Sequence, residues 1–308
     1  MPLASRLARL QRFIVLALLA GACAWFAAHW PGAPWKAALG ALLIAFVHVP
    51  VLALEFFLFM PWVSRHDPSP RPTAGQLLGA WLHESVQAVR VFGWRQPFRW
   101  RDAPDRVEGA ALHGRRGVVF IHGFLCNRGL WRPWLQDARL QGHAFAAVNL
   151  EPVFGSIDHY ADIVDEAVRR VTAATGAPPV LVCHSMGGLA ARAWLRRFDD
   201  ARRRVHHVVT IGTPHGGTWL ARFAHHENTR QMRHGGLWLQ GLSEHERQWP
   251  AVPMTCWYSN CDNIVFPACT ATVTGADNRF LPGVAHVDLA FREEVMSEVF
   301  RLLATPVR

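Results

Sequence analysis

The chain has 308 residues, 51% of them apolar and 18% charged, a balance that excludes a disordered or fibrous protein and suggests two units, or one domain with an appendage. The formal charge of +9, from 32 Lys+Arg against 23 Asp+Glu, invites a nucleic-acid reading. Residues 1–63 carry +3, residues 64–116 carry +4 and residues 117–308 only +2, so the excess marks the first part of the chain and no nucleic-acid partner is expected.

Phe13 to Trp30 is a run of 18 residues without formal charge, about 27 Å as a helix, against a hydrocarbon core of ~30 Å. Ala37 to Val63 is a second apolar stretch, with Pro50 near its middle as the expected kink. Trp30, Trp35 and Trp62 stand where interfacial rings belong. Arg6, Arg9 and Arg12 precede the first run, Lys36 alone lies in the turn, and Arg65, Arg71, Arg90, Arg95 and Arg99 follow the second. By the positive-inside rule both ends face the cytoplasm. A cleaved signal peptide is the rival reading, because Ala22-Cys23-Ala24 has a small-x-small form. His48 and Glu55 fall inside the second stretch and are read as lying near the interface, without a functional role.

Asp67 to Pro72 is Pro-rich and reads as a linker. Thr73 and Gln76 form a capping box, after which Leu77, Leu78, Trp81, Leu82, Val86, Val89 and Phe92 recur at helical spacing. Trp94 to Arg101 alternates rings with guanidinium groups, a collar suited to an anionic lipid surface or to packing on the domain that follows.

From Gly117 short β-branched runs alternate with helical stretches, which argues for a mostly parallel sheet. Strands are expected at 118–121, 145–150, 180–183, 207–211 and 254–258, and helices at about 130–140, 157–175, 187–198 and 289–303. The sharpest signal is Val180 to Leu189, where an apolar strand runs into His184-Ser185-Met186-Gly187-Gly188 and then a helix. A nucleophile elbow needs small residues at minus two and plus two, and Cys183 stands in place of the usual first Gly. A serine nucleophile needs a base oriented by a carboxylate, in the chain order Ser, Asp, His. Asp262 and His286 follow strand-like segments; Asp277 and Asp288 compete for the carboxylate role, and His215 is the other His in a motif-like setting. An oxyanion needs preorganised N–H donors, expected from the backbone of Met186 and of Phe124, the latter in the loop Phe120-Ile121-His122-Gly123-Phe124.

On His122-Gly123-Phe124, the elbow, Gly212-Thr213-Pro214-His215-Gly216-Gly217-Thr218, Asp262 with Val265, and His286, the chain resembles the α/β-hydrolase superfamily over residues 115–305, in particular bacterial triacylglycerol lipases and esterases. The resemblance implies an α/β-hydrolase fold, a mostly parallel sheet flanked by helices, and the apolar runs place a two-helix transmembrane hairpin before it, an anchor that secreted lipases of this kind lack. Residues 1–63 form the hairpin, with spans at about 13–30 and 37–63. Residues 64–114 form a linker, amphipathic helix and collar, and residues 115–308 the catalytic domain, with 219–241 as a candidate lid.

The resemblance also implies a serine ester hydrolase acting on acyl esters; together with the expected anchor it points to a membrane-anchored enzyme with lipid as substrate and surface. Ser185, His286 and Asp262 would be catalytic, Phe124 and Met186 would supply the oxyanion hole, and neither cofactor nor metal is required. An acyltransferase or thioesterase would use the same triad, and a non-catalytic membrane scaffold is the reading from another class. Some similar lipases hold calcium through an Asp two residues past the catalytic His. Asp288 matches that position, but the charge of Arg292 opposes a dication. Cys256, Cys261 and Cys269 are thiols if the domain is cytoplasmic, and Cys261 to Cys269 is the pair to bridge if it is not. Arg196, Arg197, Arg202, Arg203 and Arg204 read as a solvated helix end in preference to a phosphate site.

Overall fold

The computed structural model describes residues 5–248 and 251–307. Helix α1 (Arg6–His29) is capped by the Ser5 hydroxyl, which accepts from the Ala8 N–H. A short turn leads to α2 (Pro34–Ala45), which packs antiparallel on α1. The indole N–H of Trp25 donates to the Lys36 carbonyl, and the same ring fills the space that a Cβ on Gly40 would need.

The second apolar stretch is not one helix. It bends by 66° between Pro34–Ala45 and His48–His66, one turn before the proline expected to kink it. The cause is still Pro50: it lacks the N–H that would bond the Phe46 carbonyl, which instead accepts from Val49 at 2.9 Å. Beyond the bend, α3 (His48–Leu54) runs through a wider π turn at Glu55–Phe59, and this part docks on the rest of the molecule. Phe56 and Met60 are buried with Ala80, Cys261, Phe266 and Ala285. Among the described residues one helix, α1, is therefore long and apolar enough to cross a membrane unaided, a property shared by an anchor and a signal sequence, and the bent pair adds a second candidate.

The capping box forms as expected: Thr73 accepts from the Gln76 N–H and Gln76 accepts from the Thr73 N–H. It opens α4 (Ala74–Ala88), whose orientation was not legible in the sequence. Ala80, Glu84 and Gln87 are buried, while Leu78, Leu82, Val86 and Val89 face outward. The Pro-rich linker is fastened too, since Asn260 donates to the Pro70 carbonyl and the Ala268 N–H to the Asp67 carboxylate. In the collar, Gln96, Pro97 and Trp100 are buried and Arg95 lies over the Phe291 ring, while Trp94 is exposed.

Six parallel strands follow, β1 (Val118–Ile121), β2 (Phe145–Ala147), β3 (Val180–His184), β4 (His207–Ile211), β5 (Met254–Tyr258) and β6 (Asp277–Phe280), in the order β2-β1-β3-β4-β5-β6. Alternate residues serve two cores. Val119, Ile121, Leu181 and Cys183 pack under α5 (Tyr160–Thr175) and α6 (Met186–Arg197). Val118, Phe120, Val180 and Val182 pack against Trp131, Trp134 and the C-terminal residues of the chain.

Strand β6 was missed because Asp-Asn-Arg-Phe is a polar edge strand whose charges pair along it, Arg279 with Asp277 at 2.7 Å. The helix expected at 130–140 is instead three short pieces, Arg128–Trp131, Arg132–Leu135 and Ala138–Leu140. The candidate lid contains one-turn elements at Trp219–Phe223 and Glu227–Gln231 and the start of α7 (Leu237–Arg247). The last helices are α8 (His286–Leu289) and α9 (Glu293–Leu303), where one helix from 289 was expected.

Candidate active site

The winding of the sheet determines where a site can form. From β1 the chain goes to β2 on one side and returns to β3 on the other, so the loops leaving β1 and β3 diverge and open a crevice at the carboxyl ends. His122-Gly123-Phe124 leaves β1 and Ser185 leaves β3 at this point. Ser185 has φ +55° and ψ −129°, a conformation that a non-glycine residue holds only at a cost of order 1–3 kcal/mol. Its surroundings enforce it: the Ser185 N–H donates to the Ile211 carbonyl at 2.9 Å, and the Thr213 hydroxyl donates to the Ser185 carbonyl at 2.8 Å.

Gly123 must be glycine, since a Cβ there would lie 2.6 Å from the Ser185 Cβ. The loop that carries it is held by His122, whose pKa burial pushes down to about 4. The neutral ring accepts at Nε2 from the Leu150 N–H at 3.1 Å, so Nδ1 carries the proton and donates to the Gly123 carbonyl at 2.9 Å. Phe124 follows, its ring against Phe154, and Met186 begins α6 with a buried side chain. Leu125, at φ +54°, presents its carbonyl to Gln11 of α1.

Of the three carboxylates weighed for His286, Asp262 is the one beside it. His286 Nδ1–H donates to Asp262 Oδ2 at 2.9 Å, and Oδ1 accepts from the N–H groups of Ile264 and Val265 at 2.9 and 2.7 Å. Gly212, at φ +55°, lies against this pair, and a Cβ there would come 2.9 Å from Oδ2 and 3.1 Å from Nδ1. Burial works against charge on His286, but the adjacent Asp262 carboxylate outweighs it and holds the pKa above the ordinary imidazole value. With Nδ1–H given to Asp262, the neutral ring keeps its lone pair at Nε2.

Asp277 lies on the edge strand with Arg279, and Asp288 binds Gln87 and Arg292. His215 is buried against Thr210 and Arg192, and is held neutral by burial. In the arginine cluster, Arg196 pairs with Asp158, Arg197 with Asp162, and Arg204 with Asp165 and Asp200. All six cysteines are free, Cys261 and Cys269 included. Among the described residues no group of three or more His, Cys, Asp or Glu could hold a metal ion.

Sequence reasoning did not find several residues that surround His286. His184, just before the nucleophile, donates from Nε2 to the His286 carbonyl at 3.1 Å, with the two ring centroids 4.6 Å apart. Asn263 accepts the His286 N–H at 3.4 Å. Glu84 of α4 accepts from the N–H groups of Val287 and Asp288, and Glu55 accepts from Asn263. The one available signal was a charged residue inside an apolar stretch, which Glu55 gives.

Residues 118–300 match the Alpha/beta hydrolase family. No curated protein sequence matches the chain. Among solved structures, lipase B of Aspergillus fumigatus superposes with a TM-score of 0.58 at 18% identity, covering 68% of this chain and 57% of that one. The chain thus spans a little over half the length of that lipase. The mature lipase BlEst2 of Bacillus licheniformis gives 0.54 at 18% identity, with coverage of 62% and 93%. Phospholipase PlaB of Legionella pneumophila gives 0.50 at 14% identity, with coverage of 63% and 60%.

Proposed function

Because the chain belongs to the alpha/beta hydrolase family, we propose that it is a membrane-anchored serine ester hydrolase of lipase or carboxylesterase type. The observation that carries this reading is the strained Ser185 at the end of β3, with the hydrogen-bonded Asp262–His286 pair on loops at the same edge of the sheet. Ser185 Oγ attacks the ester carbonyl carbon as His286 Nε2 takes its proton. The tetrahedral oxyanion is met by the backbone N–H groups of Phe124 and Met186 at the start of α6, where the helix dipole favours negative charge. The imidazolium, stabilised by Asp262, gives its proton to the departing alkoxide. Water then attacks the acyl-enzyme and gives its proton to His286, and the carboxylic acid leaves as Ser185 is reprotonated.

Acyl lipids are the substrates this reading favours, and the surface of α1 and α2 supports it. Phe13, Leu16, Leu19, Trp30, Trp35, Leu42 and Leu43 are exposed, far more apolar surface than a soluble monomer leaves bare. Arg6, Arg9 and Arg12 at the start of α1 favour a cytoplasmic catalytic domain. The Trp219–Phe223 element, with Phe223 exposed and Trp219 against Phe59 and Trp62, is the piece of the 219–241 segment suited to act as a lid.

The test is labelling of the detergent-solubilised chain by a fluorophosphonate, with Ser185→Ala as control, followed by a series of p-nitrophenyl esters. A folded wild type that is neither labelled nor active removes the proposal. A mass that begins after residue 24 in the membrane fraction would replace the anchor with a signal peptide.

A further inference from the structure

The active-site histidine is held in place by residues that precede the α/β domain. Helix α8 begins at His286 and has no side-chain cap of its own, its N-cap being Ala285. Glu84 of α4 supplies one from about two hundred residues away. Its Oε1 accepts from the Val287 N–H at 2.9 Å, and its Oε2 accepts from the N–H groups of Val287 and Asp288, each at 3.2 Å. One turn later Gln87 donates to Asp288 Oδ1 at 3.0 Å. From the other side, Glu55 accepts from Asn263 Nδ2 at 2.7 Å, and Asn263 Oδ1 accepts the N–H of His286 itself. A buried carboxylate is costly unless it is paired and hydrogen-bonded, and among the described residues Glu84 makes no ion pair with Lys or Arg.

We propose that Glu84 and Glu55 are positioning residues for His286: the membrane-proximal segment supplies two carboxylates that fix the peptide carrying the general base and stabilise its imidazolium during turnover. This rests on His286 acting as the base. These contacts explain why Glu84 and Gln87 share the inward face of α4 with Leu77, Ala80 and Trp81. Removing Glu84 leaves two N–H groups without an acceptor, and it takes away negative charge at the site where positive charge develops as Ser185 loses its proton. Burial raises the Glu84 pKa to about 7, so part of its ionisation falls within the working range of an imidazole. The groups facing His286 are Asp262 from the loop after β5, Glu55 from the turn after α3, Glu84 from α4, and His184 at the end of β3, which burial keeps neutral. Asp288, on the same helix as His286, is engaged by Gln87 and Arg292.

The experiment uses the full chain in detergent micelles and measures kcat/KM for p-nitrophenyl butyrate from pH 5 to 9 in wild type, Glu84→Gln, Glu55→Gln and Glu84→Ala. Glu84→Ala should lose ten- to a hundredfold in kcat with KM within about twofold. Both Gln variants should move the acid limb of the profile to lower pH, because each removes a negative charge that favours the protonated imidazole. A purely structural cap would lower kcat without moving the limb, so unmoved limbs in the folded Gln variants overturn the proposal, as do wild-type rates in Glu84→Ala. Should Glu84→Ala or Glu84→Gln fail to fold by near-UV circular dichroism, the limb of Glu55→Gln decides. Failure of the hydrolase reading would look different: wild type itself would then be unlabelled by fluorophosphonate, or Ser185→Ala would remain active.

Discussion

Residues 118–303 and residues 6–100 use the same apolar residue types in opposite senses. In the sheet domain Val, Ile and Leu turn inward from both faces, and every side chain of β1 and β3 is buried. In the preceding segment α4 buries Glu84 and Gln87 and turns Leu78, Leu82, Val86 and Val89 outward, and the exposed side chains of α1 and α2 are largely apolar. The difference teaches that the sheet domain hides its apolar side chains while the first region leaves many of them exposed, the pattern that the proposed membrane anchor requires. The first segment cannot be called a spacer either, because its inward face reaches His286.

Four tests sharpen that division, beginning with the largest effect. Ser185→Ala should cut hydrolysis by about 10⁴-fold or more while leaving association with the membrane fraction unchanged, as judged by flotation with phospholipid vesicles. If chemistry and anchoring fell together, the two regions would not be separable. Next come two neighbours in sequence, Phe56 in the interface with the sheet domain and Phe57 facing outward. Phe56→Ala should cost roughly 3–5 kcal/mol in unfolding free energy. Phe57→Ala in detergent should cost under about 1 kcal/mol, and equal costs would mean that both rings serve the same core.

The third is a pH profile. His286 must be neutral to accept a proton, and its neighbouring carboxylates hold its pKa above 6.5. Wild-type kcat/KM should therefore fall about tenfold per pH unit on the acid side of a midpoint above 6.5, whereas a limb centred below 6.5 would show that burial outweighs the carboxylates. The smallest effect is expected for Val86→Asp on the outward face of α4. Binding to anionic vesicles should weaken severalfold with the melting temperature of the micellar protein within a few degrees, and a large loss of stability would place that face against protein.

Local signals explain what was legible. Five of the six strands, with β2 shorter than expected, the capping box, the turn at Ser185 and the order of Asp262 and His286 follow from short runs and spacing. Pro50 was read correctly as a breaker and misplaced by one turn, since the carbonyl it deprives belongs to Phe46. Strand β6 has no apolar pattern because it is an edge, and the spacing of the apolar residues in α4 left open whether that helix meets lipid or the domain, because the partners of Glu84 lie far along the chain. The contacts of Glu84, Glu55 and His184 with the loop around His286 join residues more than a hundred apart, and no periodicity encodes such a pairing.

The beginning of α1 is fastened to the domain through Gln11 to the Leu125 carbonyl and the Arg6 N–H to Glu151, and to the collar through Arg12 to the Pro97 carbonyl. A flexible tether lets a tethered enzyme tumble; a mount of this kind has no swivel. Under the proposed function, with α1 seated in a bilayer, the mouth at Gly123 and Ser185 would keep one height and one heading over its own leaflet. Encounters with substrate would then occur in two dimensions, and turnover would follow the mole fraction of substrate in that leaflet in place of its concentration in bulk. Dilution of the surface with inert lipid, at constant total substrate, would slow such an enzyme as dilution in volume slows a soluble one.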